Sequence, residues 1–91
     1  MKKFAKFFEN IDGIGDVVVI NQRAKETNGQ EVRLFFAPEI DGIDVVSIAF
    51  GFDDDEKGYA DCDKLFAAFD EQKARDTLIP IIAKIKEQFE D

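Results

Sequence analysis

Four apolar residues near the start of the chain recur at i, i+3, i+4 and i+7, the spacing that places side chains on one face of a helix. These residues are Phe4, Phe7, Phe8 and Ile11. Asn10 and Gly13 lie where this stripe ends, and both residue types commonly end helices. The pattern predicts a short helix over residues 2–11.

Three segments rich in β-branched and aromatic residues come next, separated by an Asn-Gly and an Asp-Gly pair. Such pairs favour tight turns, so the pattern predicts strands at 16–26, 31–38 and 43–52. We expect three-residue loops at 27–29 and 40–42, because these loop lengths bring the apolar side chains of all three strands to one face.

The predicted register follows from these loops. The first loop places Ile20 opposite Phe36, and the second places Phe36 opposite Val46 and Leu34 opposite Ile48. The predicted core face consists of Val18, Ile20, Val32, Leu34, Phe36, Val46, Ile48, Phe50 and Phe52.

Two further helical stripes follow the strands. The first consists of Cys62, Leu65, Phe66 and Phe69, and the second of Leu78, Ile81, Ile82, Ile85 and Phe89. Asp61 and Asp76 precede them as predicted N-caps, which places Pro80 in the first turn of the last helix. The predicted order is α-β-β-β-α-α in a single α+β domain over residues 1–91. We expect two layers, with helices packed mainly on one face of a three-stranded antiparallel meander.

Charge is unevenly distributed along the chain. The net charge is −8, and residues 39–63 alone carry nine acids and one base. The remaining residues balance to zero. Direct binding to nucleic acid is disfavoured, because it usually needs a basic surface.

Several kinds of chemistry lack the residues they need. The chain has no histidine and a single cysteine, Cys62, which lies on a helical stripe and is either a small buried hydrophobe or a reactive thiol. The only serine, Ser47, lies in a predicted strand without a base nearby. We therefore predict a protein that is not an enzyme and binds no cofactor. An enzyme based on two carboxylates is kept as a third hypothesis.

The acidic segment 53–64 resembles a calcium-binding EF-hand loop only in part. Asp53, Asp55 and Asp61 fall at ligand positions one, three and nine, but Lys64 occupies position twelve, where a bidentate glutamate is needed. We predict no metal site.

The leading hypothesis is that the acidic segment binds a basic protein. The predicted contact residues are Glu39, Asp41, Asp44, Asp53, Asp54, Asp55, Glu56, Tyr59, Asp61 and Asp63. Tyr59, the only tyrosine, is the candidate anchor, although its ring could also pack against the following helix. In a concrete version, the protein inhibits a nucleic-acid-binding protein by imitating phosphate charges. Phage or mobile-element genes beside its gene would favour that version. The alternative is a solvated acidic loop that only aids solubility.

The runner-up hypothesis is a homodimer formed through the second face of the sheet. Val17, Val19, Phe35 and Val45 are predicted to point there. They form an exposed apolar contact surface unless a helix covers them.

The predicted location is the cytoplasm. The longest apolar runs fall far short of the ~20 residues of a membrane-spanning helix. No small-residue cleavage site follows the basic N-terminus, and one cysteine allows no internal disulfide.

Overall fold

The computed structural model describes residues 4–24 and 29–89. This part of the chain forms four strands and then two helices. The strands are β1 (Ala5–Ile11), β2 (Gly15–Arg23), β3 (Gln30–Phe36) and β4 (Val46–Phe52), and the helices are α1 (Glu56–Ala68) and α2 (Glu71–Phe89).

The strands form one antiparallel sheet in the order β1-β2-β3-β4, and both helices pack on the same face of it. Helix α1 lies across β2, β3 and β4, whereas α2 contacts β1. The predicted α+β class, with an antiparallel sheet and helices on one face, is confirmed. The sheet has four strands instead of the predicted three.

The predicted helix over residues 2–11 is wrong, because most of this segment is strand β1; residues 2 and 3 lie outside the described part. Phe8 packs against the core, while Phe7 points to the other face and is 55% exposed. Gly13 and Gly15, with φ of 84° and 96°, close a tight turn that folds β1 back onto β2. Gly13, which was expected to follow a helix, therefore follows a strand, and Asn10 lies within that strand.

The predicted register of β2 is also wrong. Val17 lies opposite Phe36, where Ile20 was expected, and this shift of three residues turns β2 over. Val17 and Val19 are fully buried, and Val18 and Ile20 face away from the helices. The cause is a longer connection between β2 and β3, whose ends are joined by a hydrogen bond from Ala24 N to Gly29 O of 2.8 Å. The expected loop at 27–29 falls partly outside the described residues.

The register between β3 and β4 is confirmed. Phe36 lies opposite Val46, and Leu34 lies opposite Ile48. The core combines the inner faces of the strands with most of the predicted α1 stripe and with the first half of the predicted α2 stripe; Phe89, at the end of that stripe, is 63% exposed. The core consists of Ile11, Ile14, Val17, Val19, Val32, Leu34, Phe36, Cys62, Phe66, Phe69, Ala74, Leu78 and Ile82.

Both helices begin one turn or more before their predicted caps. Helix α1 is capped by Asp55, whose Oδ1 accepts a hydrogen bond from Gly58 N at 2.6 Å. At the start of α2, Asp70 Oδ1 accepts from Lys73 N at 2.8 Å, so Pro80 lies inside the helix instead of in its first turn. The first turns were missed because they carry no apolar stripe.

Lys6 ties the first strand to the helical layer. Its Nζ donates to the carbonyl oxygens of Phe66, Ala67 and Phe69 at 2.6, 3.3 and 3.0 Å. The same ammonium lies 4.6 Å from the centroid of the Phe66 ring. A cation at this position complements the negative end of the α1 dipole, and the last turn of α1 has no basic residue of its own.

Gly58 fixes the start of α1 against the end of β4. A Cβ at this position would collide with the Asp53 carbonyl oxygen. The start of α1 can therefore lie this close to the end of β4 only because residue 58 has no side chain.

We expect Gly58→Ala to destabilise the protein by about 2 kcal/mol, because the added methyl group forces the helix away from the strand. In an unobstructed helix the same change would stabilise by up to about 1 kcal/mol. Gly51→Ala is the matched control, since its Cβ would enter open space; we expect a change within about 0.5 kcal/mol. Urea unfolding of the three proteins measures both effects, and equal midpoints for Gly58→Ala and wild type would contradict the described junction.

Candidate interaction surface

The predicted acidic residues of the loops form two groups at opposite ends of the sheet. We call Glu39, Asp41 and Asp44 the loop-end acids, and Asp53, Asp54, Asp55 and Glu56 the helix-end acids. The loop-end acids lie in the connection from β3 to β4, and the helix-end acids lie where β4 leads into α1. Because the seven-residue β4 runs between them, the two groups are separated by about 23 Å.

The sequence-based prediction missed two acids at the loop end. Asp12 lies in the β1–β2 turn, and Asp16 lies at the start of β2, where its Oδ1 accepts from Asn10 N at 2.9 Å. In an antiparallel meander the first and third connections lie at the same end, so this turn adjoins the loop-end acids. Between them is a groove of about 420 Å³, lined by the turn together with Pro38, Glu39, Ile82 and Lys86.

Five of the predicted contact residues are exposed, and their carboxylates make no hydrogen bond or ion pair within the described residues. They are Glu39, Asp41, Asp44, Asp53 and Glu56. Their carboxylates are thus not neutralised by the described part of the protein.

The other predicted acids have structural partners. Asp54 Oδ2 lies 3.7 Å from Arg23 Nη2, Asp61 Oδ2 lies 3.2 Å from Lys57 Nζ, and Asp55 caps α1. The two exposed ion pairs contribute little to stability, roughly 0–1 kcal/mol each. These three acids already have a partner within the protein, unlike the five whose carboxylates are unpaired.

Asp63 and Cys62 belong to a buried polar contact with β2. Asn21, only 7% exposed, donates from Nδ2 to Asp63 Oδ1 at 2.9 Å and accepts at Oδ1 from Cys62 Sγ at 3.3 Å. Cys62 is 1% exposed, which favours the interpretation as a small buried residue over a reactive thiol. This contact fixes which face of α1 meets the sheet.

Tyr59 lies at the helix end, where it is 37% exposed. Its hydroxyl donates a hydrogen bond to Asp54 Oδ1. This bond, together with the negative charge of Asp54, raises the pKa of Tyr59, because ionisation of the phenol would remove the bond and place two negative charges side by side. Tyr59 is accessible to a partner and held in place by a neighbouring acid.

The face of the sheet opposite the helices carries a row of side chains across all four strands. Phe7, Val18, Phe35 and Ser47 are directly opposed in the register. The next row contains Ala5, Ile20, Arg33 and Ala49. Neither described helix packs on these residues, and we call this surface the open face.

The predicted dimer face is wrong in part, because β2 presents the opposite set of side chains to the open face. Val17 and Val19 are fully buried beneath the helices. Phe35 does lie on the open face and is half-buried there, while Val45 is 65% exposed in the β3–β4 connection. The apolar strip exists, but Val18, Ile20 and Phe7 take the places assigned to Val17 and Val19.

Two charged side chains of the open face, Glu31 and Arg33, form an ion pair with each other. Glu31 Oε2 accepts from Arg33 Nε at 2.6 Å and from Gln22 Nε2 at 2.8 Å. The hydrogen bond from Arg33 is the main cause that lowers the pKa of Glu31 below its ordinary value of 4.5. The stability that this contact contributes is therefore fully present at pH values above the ordinary pKa of Glu31. It is lost as the pH falls through the lowered pKa of Glu31.

Two absences bear on other functions. The described residues contain no group of three or more metal-ligating side chains placed to hold an ion. No helix in this part of the chain has both the length and the apolar character required to cross a membrane. The expected cytoplasmic location and the expected lack of enzymatic activity stay predictions.

Comparisons of the chain with models of protein families, with curated proteins and with solved structures found no match.

We expect Asp54→Asn to lower the pKa of Tyr59 towards its ordinary value of 10.0, because it removes the charge beside the phenol. Tyr59 is the only tyrosine and the chain has no tryptophan, so the ultraviolet absorbance of tyrosinate reports it alone. Asp53→Asn is the control and should leave the titration unchanged. Superimposable curves for wild type and Asp54→Asn would show that Asp54 does not raise the pKa of Tyr59 in solution.

Proposed function

We propose that this protein is a small acidic interaction module that binds a basic protein surface without catalysing a reaction. The observation that supports the proposal best is the placement of unpaired, exposed carboxylates at both ends of the sheet. Two separated groups of negative charge define an orientation for a positively charged partner, whereas a single cluster of charge does not.

Charge of this kind acts mainly on the encounter between partners. An exposed ion pair contributes only about 0–1 kcal/mol, so the acids alone give modest affinity. Clustered charges of one sign accelerate association with an oppositely charged surface and reject partners of the same sign. A specific complex therefore also needs an apolar contact.

Imitation of nucleic acid is the concrete version of this function that the spacing favours. The separation of about 23 Å between the acidic groups corresponds to roughly seven base pairs at 3.4 Å each. A protein whose basic residues contact phosphates across such a length would meet carboxylates at both ends of this sheet. Bound there, the acidic protein would compete with nucleic acid for the same surface.

The test uses charge reversal at both ends. Wild-type protein and the variant Asp41→Lys/Asp44→Lys/Asp53→Lys/Glu56→Lys are immobilised and exposed to a lysate of the source cells at 0.1 M and 0.5 M salt. A captured basic protein is then purified and titrated with each. We expect the reversals to weaken binding at 0.1 M salt at least tenfold, which corresponds to about 1.4 kcal/mol, and to flatten its dependence on salt.

The control has reversed charges away from the two ends. Glu71 and Asp76 are exposed on the first half of α2, and Glu71 occupies the first turn of its helix as Glu56 does in α1. Glu71→Lys/Asp76→Lys should lose much less affinity than a matched Asp53→Lys/Glu56→Lys variant. Equal capture at both salt concentrations, or equal losses for the two double variants, would rule out an electrostatic function of the acidic ends.

Competition with nucleic acid tests the hypothesis that this protein imitates nucleic acid. A double-stranded oligonucleotide should displace the captured protein from the wild-type surface in a concentration-dependent manner. A ternary complex of oligonucleotide, captured protein and this protein would exclude mimicry while leaving the basic partner in place.

A further inference from the structure

Among the residues that the structure describes, nothing forms a second layer on the open face of the sheet. The central row combines Phe7, which is 55% exposed, with the half-buried Val18 and Phe35. Ile20 adds to it from the next row. Sheets with an apolar face are normally covered by a helix or by another sheet, and exposed apolar strips commonly mark contact sites.

The dimensions of this face suit a single helix. Four strands spaced about 4.8 Å apart give a width of about 14 Å, and seven residues give a length of about 23 Å. A helix with its side chains is about 10 Å wide, and about 15 residues span 22 Å. One helix that lies parallel to the strands can therefore cross both apolar rows and reach from one end of the sheet to the other.

The charges around the face indicate what kind of helix it would be. Asp16 and Asp53 continue the outward alternation of β2 and β4, so exposed carboxylates flank the apolar rows at opposite ends. Inside the face, Glu31 and Arg33 compensate each other. An occupant should thus be apolar along its centre and basic at both ends.

A second copy of this chain fits that description poorly. It would bring its own Asp16 and Asp53, and a net charge of −8, against the same residues. Like charges placed together oppose association. The charge complementarity favours a foreign, basic occupant.

We propose that the open face is the apolar docking site for a basic amphipathic helix of the partner, lying between the two acidic ends. This inference rests on the proposed function and supplies the contact that the acids alone lack. The acids guide the helix to the sheet, and Phe7, Val18, Ile20 and Phe35 then bury its apolar stripe.

The probe is a synthetic 15-residue helical peptide with lysines at both ends and leucines at i, i+3, i+4 and i+7 in its centre. Its binding to the full chain is followed by fluorescence anisotropy at several salt concentrations. A second peptide has the same composition with the leucine spacing scrambled. We expect the patterned peptide to bind at least fivefold more tightly than the scrambled one.

Two exposed phenylalanines provide matched variants. Phe7 lies on the open face. Phe4, which is 61% exposed, is two residues from Lys6 and therefore lies on the same face as Lys6, the helical face. We expect Phe7→Ser to weaken the patterned peptide at least fivefold without changing its salt dependence, and Phe4→Ser to have no effect. In contrast to Phe7→Ser, Asp53→Lys should flatten the dependence of peptide binding on salt.

Distinct outcomes separate the two proposals. Salt-dependent binding that responds equally to Phe4→Ser and Phe7→Ser overturns the docking site but keeps the acidic function, whereas salt-independent binding contradicts the acidic function. Absence of binding by the patterned peptide, or equal binding of both peptides, overturns the docking site. A wild-type dimer in sedimentation equilibrium that Phe7→Ser converts to monomer also overturns it, since a second copy would then occupy the face.

Discussion

A four-stranded sheet has two faces, and the two helices of this chain both pack on one of them. Strand β2 is apolar on both sides, with Val17 and Val19 inward and Val18 and Ile20 outward. Burial of either pair would yield a similar hydrophobic free energy. The side that receives the helices determines which apolar residues remain available to another molecule, so the open face is a direct consequence of this choice.

Polar contacts make the choice specific. Lys6 binds three carbonyl oxygens at the end of α1, and Asn21 binds Asp63 and Cys62 in its middle. If β2 were turned over, Asn21 would point away from the helices, and Asp63 and Cys62 would lose its amide. Each intramolecular hydrogen bond lost in this way removes a net contribution of ~0.5–1.5 kcal/mol to stability. The same contacts fix α1, and with it the helix-end acids, relative to the open face.

The sequence allowed correct prediction of those features that one residue pattern decides. The register of β3 and β4 follows from alternation on a single apolar face, and the buried stripes of both helices follow from their spacing. The charge segregation along 39–63 is visible without any structure. Strand β1 and the register of β2 were mispredicted because their apolar residues satisfy two patterns at once. Phe4, Phe7, Phe8 and Ile11 match a helical spacing, and 17–20 fit either face of a sheet. Long-range partners such as Asn21 with Asp63 decide between these alternatives, and sequence spacing alone contains no record of them.

The orientation of β2 can be measured directly in the isolated protein. A soluble paramagnetic agent broadens the NMR signals of methyl groups that it can approach. With β2 oriented as described, we expect strong relaxation of the Val18 and Ile20 methyl groups and weak relaxation of those of Val17 and Val19. Strong relaxation of Val17 and Val19 with protection of Val18 and Ile20 would contradict this orientation, because the helices would then cover the face described here as open.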